Sequence, residues 1–415
     1  MANRSVWNCR HRLFYEPRWI CWKPFYVRAF GTVVESELRP KSQLERLERR
    51  KRRLKALLDS LRWPPVASFH AFGEMYGLPW REVQNKHSPV SQDEMEYLAG
   101  FFDGDGCVTA SANARQCRLR VEQSYTHGES LLLFVRAFGG YIGRASNGLG
   151  AKKPMIFWCV SGEAAVQASL MLLHHSIVKA PQLRIASTWP NCHETQKKLS
   201  LKLAREKRVP VQIHSQLHSW PYLAGFFDAE GCISISGQRP ALRLTITQKY
   251  EGVLQVIVAF LYRQLHECVQ PGKFSIIDYK SHSILNISGT ERCKLVLRNL
   301  LGAGLLIKRP AAKLALQYNA YNRFDLRDQL ALRVGNQQRY RRLDRDACTR
   351  AGVISRLSNR IKTRVESGRL NDVGVLSDQL VNLRHEHDVL TIGTMVGLIR
   401  SDIRGLLNAG AERAS

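Results

Sequence analysis

Two acidic residues, Asp105 and Glu230, occupy the same place in two copies of one short motif. The motif reads Tyr-Leu-Ala-Gly-Phe-Phe-Asp, then a small residue, an acid, Gly and Cys, at positions 97–107 and again at 222–232. The two copies differ only at the small residue and at the acid. A duplicated segment that supplies one carboxylate per copy predicts a shared site built from two similar halves.

The chemistry of such a site follows from where the acids stand. The apolar residues of each copy predict a helix that ends near its acid. The C-terminal end of a helix disfavours an anion, so the two carboxylates require a cation. Magnesium binds a few carboxylates together with phosphate oxygens, and metal-activated water hydrolyses phosphodiesters. The pair of acids therefore predicts a divalent-metal site that acts on a phosphodiester.

Small residues at the centre of each motif predict how the two helices meet. Side-chain bulk is reduced or absent at four positions, Ala99, Gly100, Ala224 and Gly225. Helices with such residues can approach each other backbone to backbone. We therefore expect these four residues to form a helix–helix interface that brings both acids to one pseudo-two-fold axis.

The elements that must position the acids also repeat. After each motif, the residue pattern predicts two strands, a helix, two more strands and a second helix. Each half is thus an α+β unit of the αββαββα type with an antiparallel four-stranded sheet. We place the first domain at residues 96–186 and the second at 221–325. Near the last helix of the second half, Ser288 and Glu291 predict a capping box.

Three further segments lie outside these halves. Residues 1–95 are predicted to be a basic extension with a charged helix over 41–61. Residues 187–220 are predicted to be a basic linker, and residues 326–415 a helical extension. The sequence leaves open whether the C-terminal extension binds DNA or covers the second half.

Composition narrows the class of partner. The 415 residues include 62 Lys and Arg against 35 Asp and Glu, which gives a net charge of +27. A field of that sign favours a polyanion, most often nucleic acid. Ten cysteines without a C-x-x-C pair argue against a zinc ribbon and predict reduced thiols inside a cell. No apolar run approaches membrane-spanning length, so no membrane partner is predicted.

The compartment stays open. The first 34 residues carry six basic residues and one acid, which is compatible with a transit peptide for a chloroplast or mitochondrion. The basic helix that follows is equally compatible with a nuclear address.

The chain resembles the LAGLIDADG homing endonucleases in their single-chain form with two motifs. The resemblance covers about residues 96–325. It rests on both motifs, on residues 121–124 and 246–249 at the end of the second strand of each half, and on the segments around Lys179 and Lys308. It implies two pseudo-symmetric domains whose antiparallel sheets form a DNA-binding saddle. The implied activity is that of a site-specific double-strand DNA endonuclease in intron homing, which acts as a monomer across the minor groove of a long asymmetric site.

Six residues take catalytic roles under this resemblance, in three pairs with one member from each half. The motif acids bind two or three Mg²⁺ ions at the scissile phosphates. A glutamine at the end of the second strand organises water, and a lysine late in each half polarises water and offsets transition-state charge. The pairs are Asp105 with Glu230, Gln123 with Gln248, and Lys179 with Lys308.

Polar strand faces and loops supply the predicted DNA contacts. A sheet laid in the major groove needs outward polar side chains that reach base edges. Eight residues fit this requirement: Arg115, Arg118, Arg120, Arg144, Arg239, Arg243, Thr245 and Lys280. Arginine can specify guanine, whereas lysine on a phosphate only positions the duplex.

Two other functions remain open. The same fold can serve as an intron maturase, which binds RNA without cutting it. It can also serve as a sequence-specific DNA-binding protein that has lost cleavage. Intact Asp105 and Glu230 weigh against either as the sole activity, but not against a bifunctional protein.

Overall fold

The computed structural model describes residues 40–81, 90–110, 116–209, 217, 219–236, 241–265, 274–333, 340 and 342–414. The chain begins with α1 (Pro40–Ser60), β1 (Leu61–Arg62), β2 (Ser68–Ala71) and β3 (Glu74–Gly77). The first half follows, with α2 (Gln92–Asp105), β4 (Gly106–Thr109), β5 (Arg118–Ser124), α3 (Glu129–Phe138), β6 (Tyr141–Ser146), β7 (Met155–Ser161), α4 (Glu163–Leu173), α5 (Ala180–Ser187) and α6 (His193–Glu206).

The second half repeats this order. It comprises α7 (Trp220–Glu230), β8 (Gly231–Ser236), β9 (Ala241–Gln248), α8 (Glu251–Leu265), β10 (Phe274–Tyr279), β11 (His282–Ser288), α9 (Thr290–Gly302), α10 (Arg309–Leu316) and α11 (Arg323–Arg333). The described chain ends with α12 (Arg345–Glu366), α13 (Val373–Asn408) and β12 (Glu412–Arg413).

Both halves have the predicted αββαββα fold with an antiparallel sheet. The strand order is β4-β5-β7-β6 in the first half and the equivalent β8-β9-β11-β10 in the second. Alternation along the strands fixes one face of each sheet to the core: Leu119 and Val121 of β5 are fully buried, while Arg118 is exposed. The predicted α+β class is therefore confirmed.

The repeat continues beyond the predicted elements. Helices α5 and α10 both start with proline in the first turn, at Pro181 and Pro310, where the missing backbone N–H has no helical partner to lose. Helix α6 then packs on β4, and α11 packs in the same way on β8. Helix α6 lies inside the interval 187–220, for which the sequence predicted a basic linker.

Helices α2 and α7 pack along each other at their glycines. A Cβ atom at Gly100 would overlap the carbonyl oxygen of Tyr222, and one at Gly225 would overlap the carbonyl oxygen of Tyr97. Ala99 and Ala224, the other predicted interface residues, are fully buried. The backbones are thus in direct contact, which only glycine permits at these two positions.

The capping box predicted at Ser288 is wrong. Ser288 is the last residue of β11, where it pairs with Arg243 of β9. The N-cap of α9 is Gly289, with φ of 95° and no side-chain hydrogen bond. Strand pairing holds the serine in extended backbone one residue too early to cap the helix.

The two flanking extensions meet in one unit. Helix α13 packs against both α1 and α12, and β1 pairs with β12. We call α1, β1, α12, α13 and β12 the terminal helical unit. Its own core is formed by Leu54, Leu57, Leu58, Leu61, Ile399, Ile403 and Leu406.

The terminal helical unit is attached to the first half. The backbone N–H of Gly150 donates to the carbonyl of Leu61 at 2.8 Å, and that of Trp63 donates to the carbonyl of Gly148 at 3.1 Å. Both glycines lie in the turn between β6 and β7. The unit therefore docks beside the first sheet, and its helix α12 also contacts α11 of the second half, where Arg327 donates to Cys348 Sγ at 3.1 Å and Arg345 lies over the ring of Phe324. The sequence left this arrangement open.

Two negative findings concern only the described residues. None of their helices is long and apolar enough to cross a membrane. Their seven cysteines are free thiols.

Substituting either interface glycine tests the backbone contact. Gly100→Ala and Gly225→Ala should each lower the free energy of unfolding by about 3 kcal/mol, because the new methyl group meets backbone atoms that cannot move aside. Gly393→Ala in α13 is the matched control, since its Cβ would meet nothing within 4 Å. Denaturant unfolding should show the control to be neutral or more stable by up to about 1 kcal/mol. Equal effects at all three positions would contradict the assigned contact.

Candidate active site

The two motif acids end their helices at the same edge of the helix pair. Asp105 is the last residue of α2 and Glu230 is the last residue of α7. Each is followed by a glycine in extended conformation, Gly106 or Gly231, which starts the next strand. Because α2 and α7 pack side by side, the two carboxylates enter one site, one from each half.

The surroundings of the site shift the pKa of Glu230. The pKa of its carboxyl is raised to about 7, first because surrounding protein atoms desolvate it and second because the Asp105 carboxylate repels its charge. Lys179, Lys308 and a hydrogen bond from Gln248 act in the opposite direction but do not cancel the rise. Two carboxylates therefore compete for charge at an edge where Asp105 is exposed and Glu230 is half-buried.

Each acid is met by the glutamine of its own half. The side-chain amide of Gln123 donates to Asp105 Oδ2 at 2.5 Å. The side chain of Gln248 forms the equivalent hydrogen bond with Glu230. In both halves the second strand runs antiparallel to the strand that starts after the acid, so its end returns to the acid.

Lys179 binds the end of helix α2. Its ammonium group donates to the carbonyl oxygens of Phe102 at 2.9 Å, Asp103 at 2.5 Å and Gly104 at 2.9 Å. These are carbonyls of the last helical turn, and among them that of Phe102 also accepts the backbone N–H of Gly106. In the second half, Lys308 makes the equivalent hydrogen bond to the carbonyl of Asp228.

The three carbonyls occupy all three hydrogens of the Lys179 ammonium group. Desolvation lowers the pKa of this amine, although the charges of Asp103 and Glu230 favour its protonated form. Its positive charge lies beside the two acids. It offsets the partial negative charge of the helix C-terminus, which disfavours those acids. The role predicted from the resemblance, polarisation of water, requires that one of the three carbonyl bonds be exchanged.

Sequence reasoning missed the aspartate that positions this lysine. Asp103 is buried, and its carboxylate accepts the backbone N–H groups of Ile177 at 2.6 Å and Val178 at 2.9 Å. It also accepts from Lys179 N at 2.8 Å and from the hydroxyl of Ser176 at 2.5 Å. One carboxylate thus shapes the whole segment that delivers the lysine.

Asp228 has the same function in the second half. Its carboxylate accepts the backbone N–H groups of Leu306 at 2.6 Å, Ile307 at 3.0 Å and Lys308 at 2.7 Å. The signal was present in the sequence, because this aspartate is identical in both motif copies and stands two residues before each acid.

A tyrosine from the opposite half donates a further hydrogen bond to each of these two carboxylates. The hydroxyl of Tyr222 donates to Asp103 at 2.6 Å, and the hydroxyl of Tyr97 donates to Asp228 at 2.8 Å. Both phenols are buried, and burial raises their pKa values well above the usual range. Each lysine segment is therefore tied to both halves of the molecule.

Several predicted DNA-contact residues are available at the surface. Arg118, Arg144, Arg243 and Lys280 are exposed. Arg120 is half-buried, with its guanidinium 3.8 Å from the ring centre of Phe157 and 2.8 Å from the carboxylate of Glu122. Arg115 and Arg239 lie outside the described residues.

Thr245 departs from its predicted exposed position. Only 6% of its surface is exposed. It lies in β9, a central strand, between Cys232 of β8 and Asn286 of β11. Flanking strands cover its short side chain, so the alternation that points it outward does not make it accessible.

The donor set fits magnesium better than a metal held by protein alone. No group of three or more His, Cys, Asp or Glu side chains with metal-binding geometry is present among the described residues. Desolvation and then repulsion by Asp105 raise the pKa of Glu230, and a divalent cation between the two carboxylates relieves this repulsion. Magnesium commonly keeps waters and phosphate oxygens as its remaining ligands. The site is therefore suited to a metal that arrives with a phosphate-bearing partner.

No protein-family model matches the sequence, and no curated protein matches it. Solved structures are similar, with 10–15% identity in those considered. They are LAGLIDADG homing endonucleases, the family that the two motifs also resemble.

Three of these structures illustrate the similarity. Meganuclease I-SmaMI bound to uncleaveable DNA is 15% identical, with a TM-score of 0.42, over 60% of this chain and 100% of that chain. LAGLIDADG meganuclease I-AabMI bound to uncleaved DNA is 15% identical, with a TM-score of 0.38, over 58% and 92%. Homing endonuclease I-GzeII in complex with its DNA target is 11% identical, with a TM-score of 0.40, over 57% and 96%. The site described above rests on the contacts of this chain alone.

Proposed function

We propose that this protein is a site-specific double-strand DNA endonuclease of the homing type, which hydrolyses phosphodiesters with divalent metal. One observation carries the proposal. Asp105 and Glu230, from two repeats of one motif, are the last residues of the packed helices α2 and α7 and enter a single site. A repeated acid at a paired helix end suits two scissile bonds related by the same pseudo-symmetry.

The metal we propose is Mg²⁺, as two or three ions between the halves. Asp105 and Glu230 would hold them together with phosphate oxygens of the substrate. When bound, the metal lowers the pKa of a water ligand and stabilises the leaving oxygen. The chain itself contributes the position of the carboxylates and a carbonyl-held positive charge at Lys179.

The remaining residues would orient the reactants. Gln123 and Gln248 each hold one carboxylate oxygen and can orient a water beside it. Lys308 supplies in the second half the charge that Lys179 supplies in the first. Asp103 and Asp228 act as positioning residues because they set the backbone that carries the two lysines.

The DNA would lie across both sheets, which form a saddle in the major groove on either side of the cut. Exposed Arg118, Arg144 and Arg243 support this placement, and a net charge of +27 favours a polyanion. The proposed enzyme acts as a monomer on a long asymmetric site, since both acids belong to one chain. We propose the same domain limits as from the sequence, 96–186 and 221–325, with residues 187–220 between them.

An intron maturase is the second candidate function. The same basic surface binds RNA phosphates, so the proposal is tested by cleavage and not by binding alone. Selection of cut sites from a randomised duplex library with Mg²⁺ should yield one long sequence, and EDTA should abolish it. Tight binding to an intron RNA without any cleavage would favour the maturase.

Neutralising the acids should separate cleavage from binding. Asp105→Asn and Glu230→Gln each keep shape and remove the charge that holds the metal, so cleavage of the selected duplex should fall below detection while DNA affinity stays within about threefold. Glu163→Gln, at an exposed acid that starts α4, is the matched control and should cleave normally. Cleavage by the double variant would show that the site lies elsewhere.

Metal-free stability should depend on pH through Glu230. Its folded pKa of about 7 lies above the usual 4.5, so its contribution to stability is present below about pH 4.5 and is lost as pH rises through 7. Glu230→Gln removes this loss. In EDTA, the melting temperature of Glu230→Gln should exceed that of the wild type by a few degrees at about pH 8 and by less at about pH 5. Mg²⁺ with DNA should close the gap; an equal gap at both pH values would contradict the assignment.

Asp103→Asn tests the positioning of Lys179. The amide nitrogen would face backbone N–H groups that now donate to the carboxylate, so the lysine segment should shift. We expect the single-turnover cleavage rate to fall by about 100-fold while DNA affinity changes little. Tyr222→Phe removes only one hydrogen bond to the same carboxylate and should cost about 1 kcal/mol of stability with cleavage nearly intact. Parallel losses of affinity and rate in Asp103→Asn would indicate a general structural role instead.

A further inference from the structure

Four arginines form one face of helix α1. Arg46, Arg49, Arg50 and Arg53 follow the spacing i, i+3, i+4, i+7, which places them on one side of a helix. All four are exposed. We call these four residues the arginine face of α1.

The acids of α1 do not neutralise this face. Lys51 lies 3.6 Å from Glu48, and Lys55 pairs with Asp59, so these two acids serve the lysines. The third acid of α1, Glu45, forms no salt bridge with a described residue. Among the residues that the structure describes, the four arginines have neither a salt bridge nor a side-chain hydrogen bond. Like charges at this spacing destabilise a helix. The arrangement therefore suits an anion from outside the chain.

The arginine face is held in a fixed position. A neighbouring side of α1 packs against α13, with Leu58 fully buried. The end of α1 is fastened by a hydrogen bond from Ala414 N to Ser60 O at 2.7 Å and by one from Trp63 Nε1 to Gly150 O at 2.9 Å. The arginines thus belong to a docked helix, whose orientation relative to the first sheet is set by folding.

This face extends the basic surface of the first half. Exposed Arg62 follows α1 and forms a bridge with Leu149 in the turn between β6 and β7. The same turn carries exposed Lys152 and Lys153, and exposed Arg144 lies on β6. Measured along the helix axis from Ser60, the four arginines lie about 10–21 Å away, at about 1.5 Å per residue.

We propose that the arginine face of α1 binds the phosphate backbone of duplex DNA beside the first half, outside the two sheets. The inference rests on the proposed function for the identity of the polyanion. Helix α1 contains no aromatic residue, whereas binding of single strands relies on aromatic stacking. The contact is therefore with phosphates and carries no base specificity.

Salt dependence of binding measures this contact directly. The full chain with all four arginines changed to Gln, a comparable helix former, is compared with wild type on a long mixed-sequence DNA duplex in EDTA, from roughly 50 to 200 mM KCl. The slope of log affinity against log salt should become shallower by about 3–4, since each lost phosphate contact contributes about 0.9. The matched variant, Lys51→Gln with Arg52→Gln and Lys55→Gln, removes three positive charges from other sides of the same helix and should change the slope by less than about 1.

The outcomes separate this inference from its rivals. An unchanged slope in the four-arginine variant, or an equal change in the matched variant, overturns it. Weakening on duplex or single-stranded RNA with no change on DNA would assign the face to RNA and also overturns it. Arg49→Gln with Arg53→Gln alone should give about half the effect, which guards against misfolding of the larger variant. This binding assay contains no metal and does not depend on cleavage. Failure of the wild type to cleave in the separate Mg²⁺ library selection would therefore refute the proposed nuclease and leave this result readable.

Discussion

The contact between the backbones of α2 and α7 is the constraint on which the rest of the structure depends. Gly100 and Gly225 let each helix reach the other at a carbonyl oxygen, and no larger residue fits. This approach places the last residues of both helices in one space. It thereby desolvates Glu230 and sets it beside the Asp105 carboxylate, and the two effects, in that order, raise the Glu230 pKa to about 7. Close packing and unusual electrostatics thus have one cause.

Two buried carboxylates connect these paired helices to the segments that carry the lysines. Asp103 and Asp228 lie on the paired helices and accept hydrogen bonds from the segments that carry Lys179 and Lys308. Burying a charge is favourable only when several donors surround it, and here backbone N–H groups and a phenol supply them. The two lysines in turn donate hydrogen bonds to carbonyl oxygens at the helix ends. In each half, the helix therefore holds the segment through its aspartate, and the segment holds the helix end through its lysine.

Much of this could be predicted from the sequence, because periodicity and repetition are local. The two motifs gave the acids, the interface glycines and the order of the strands, and with them the positions of Gln123 and Gln248. The role of Asp103 could not be read locally, since its partners lie more than 70 residues away in sequence. The pairing of α1 with α13 was hidden for the same reason: an apolar stripe shows that a helix is covered, not by which element. Ser288 failed because strand pairing outweighed a local capping signal.

The two halves depend on each other through two tyrosines, each of which donates to the buried aspartate of the opposite half. Tyr222 completes Asp103, and Tyr97 completes Asp228, so each half carries a part that its neighbour needs. A chimaera that joins one half to a half from a similar protein would inherit only one side of each pair. Such a recombination is tolerated where the incoming half brings its own matching phenol and carboxylate. Inheritance of the two halves is therefore coupled at two buried hydroxyl groups.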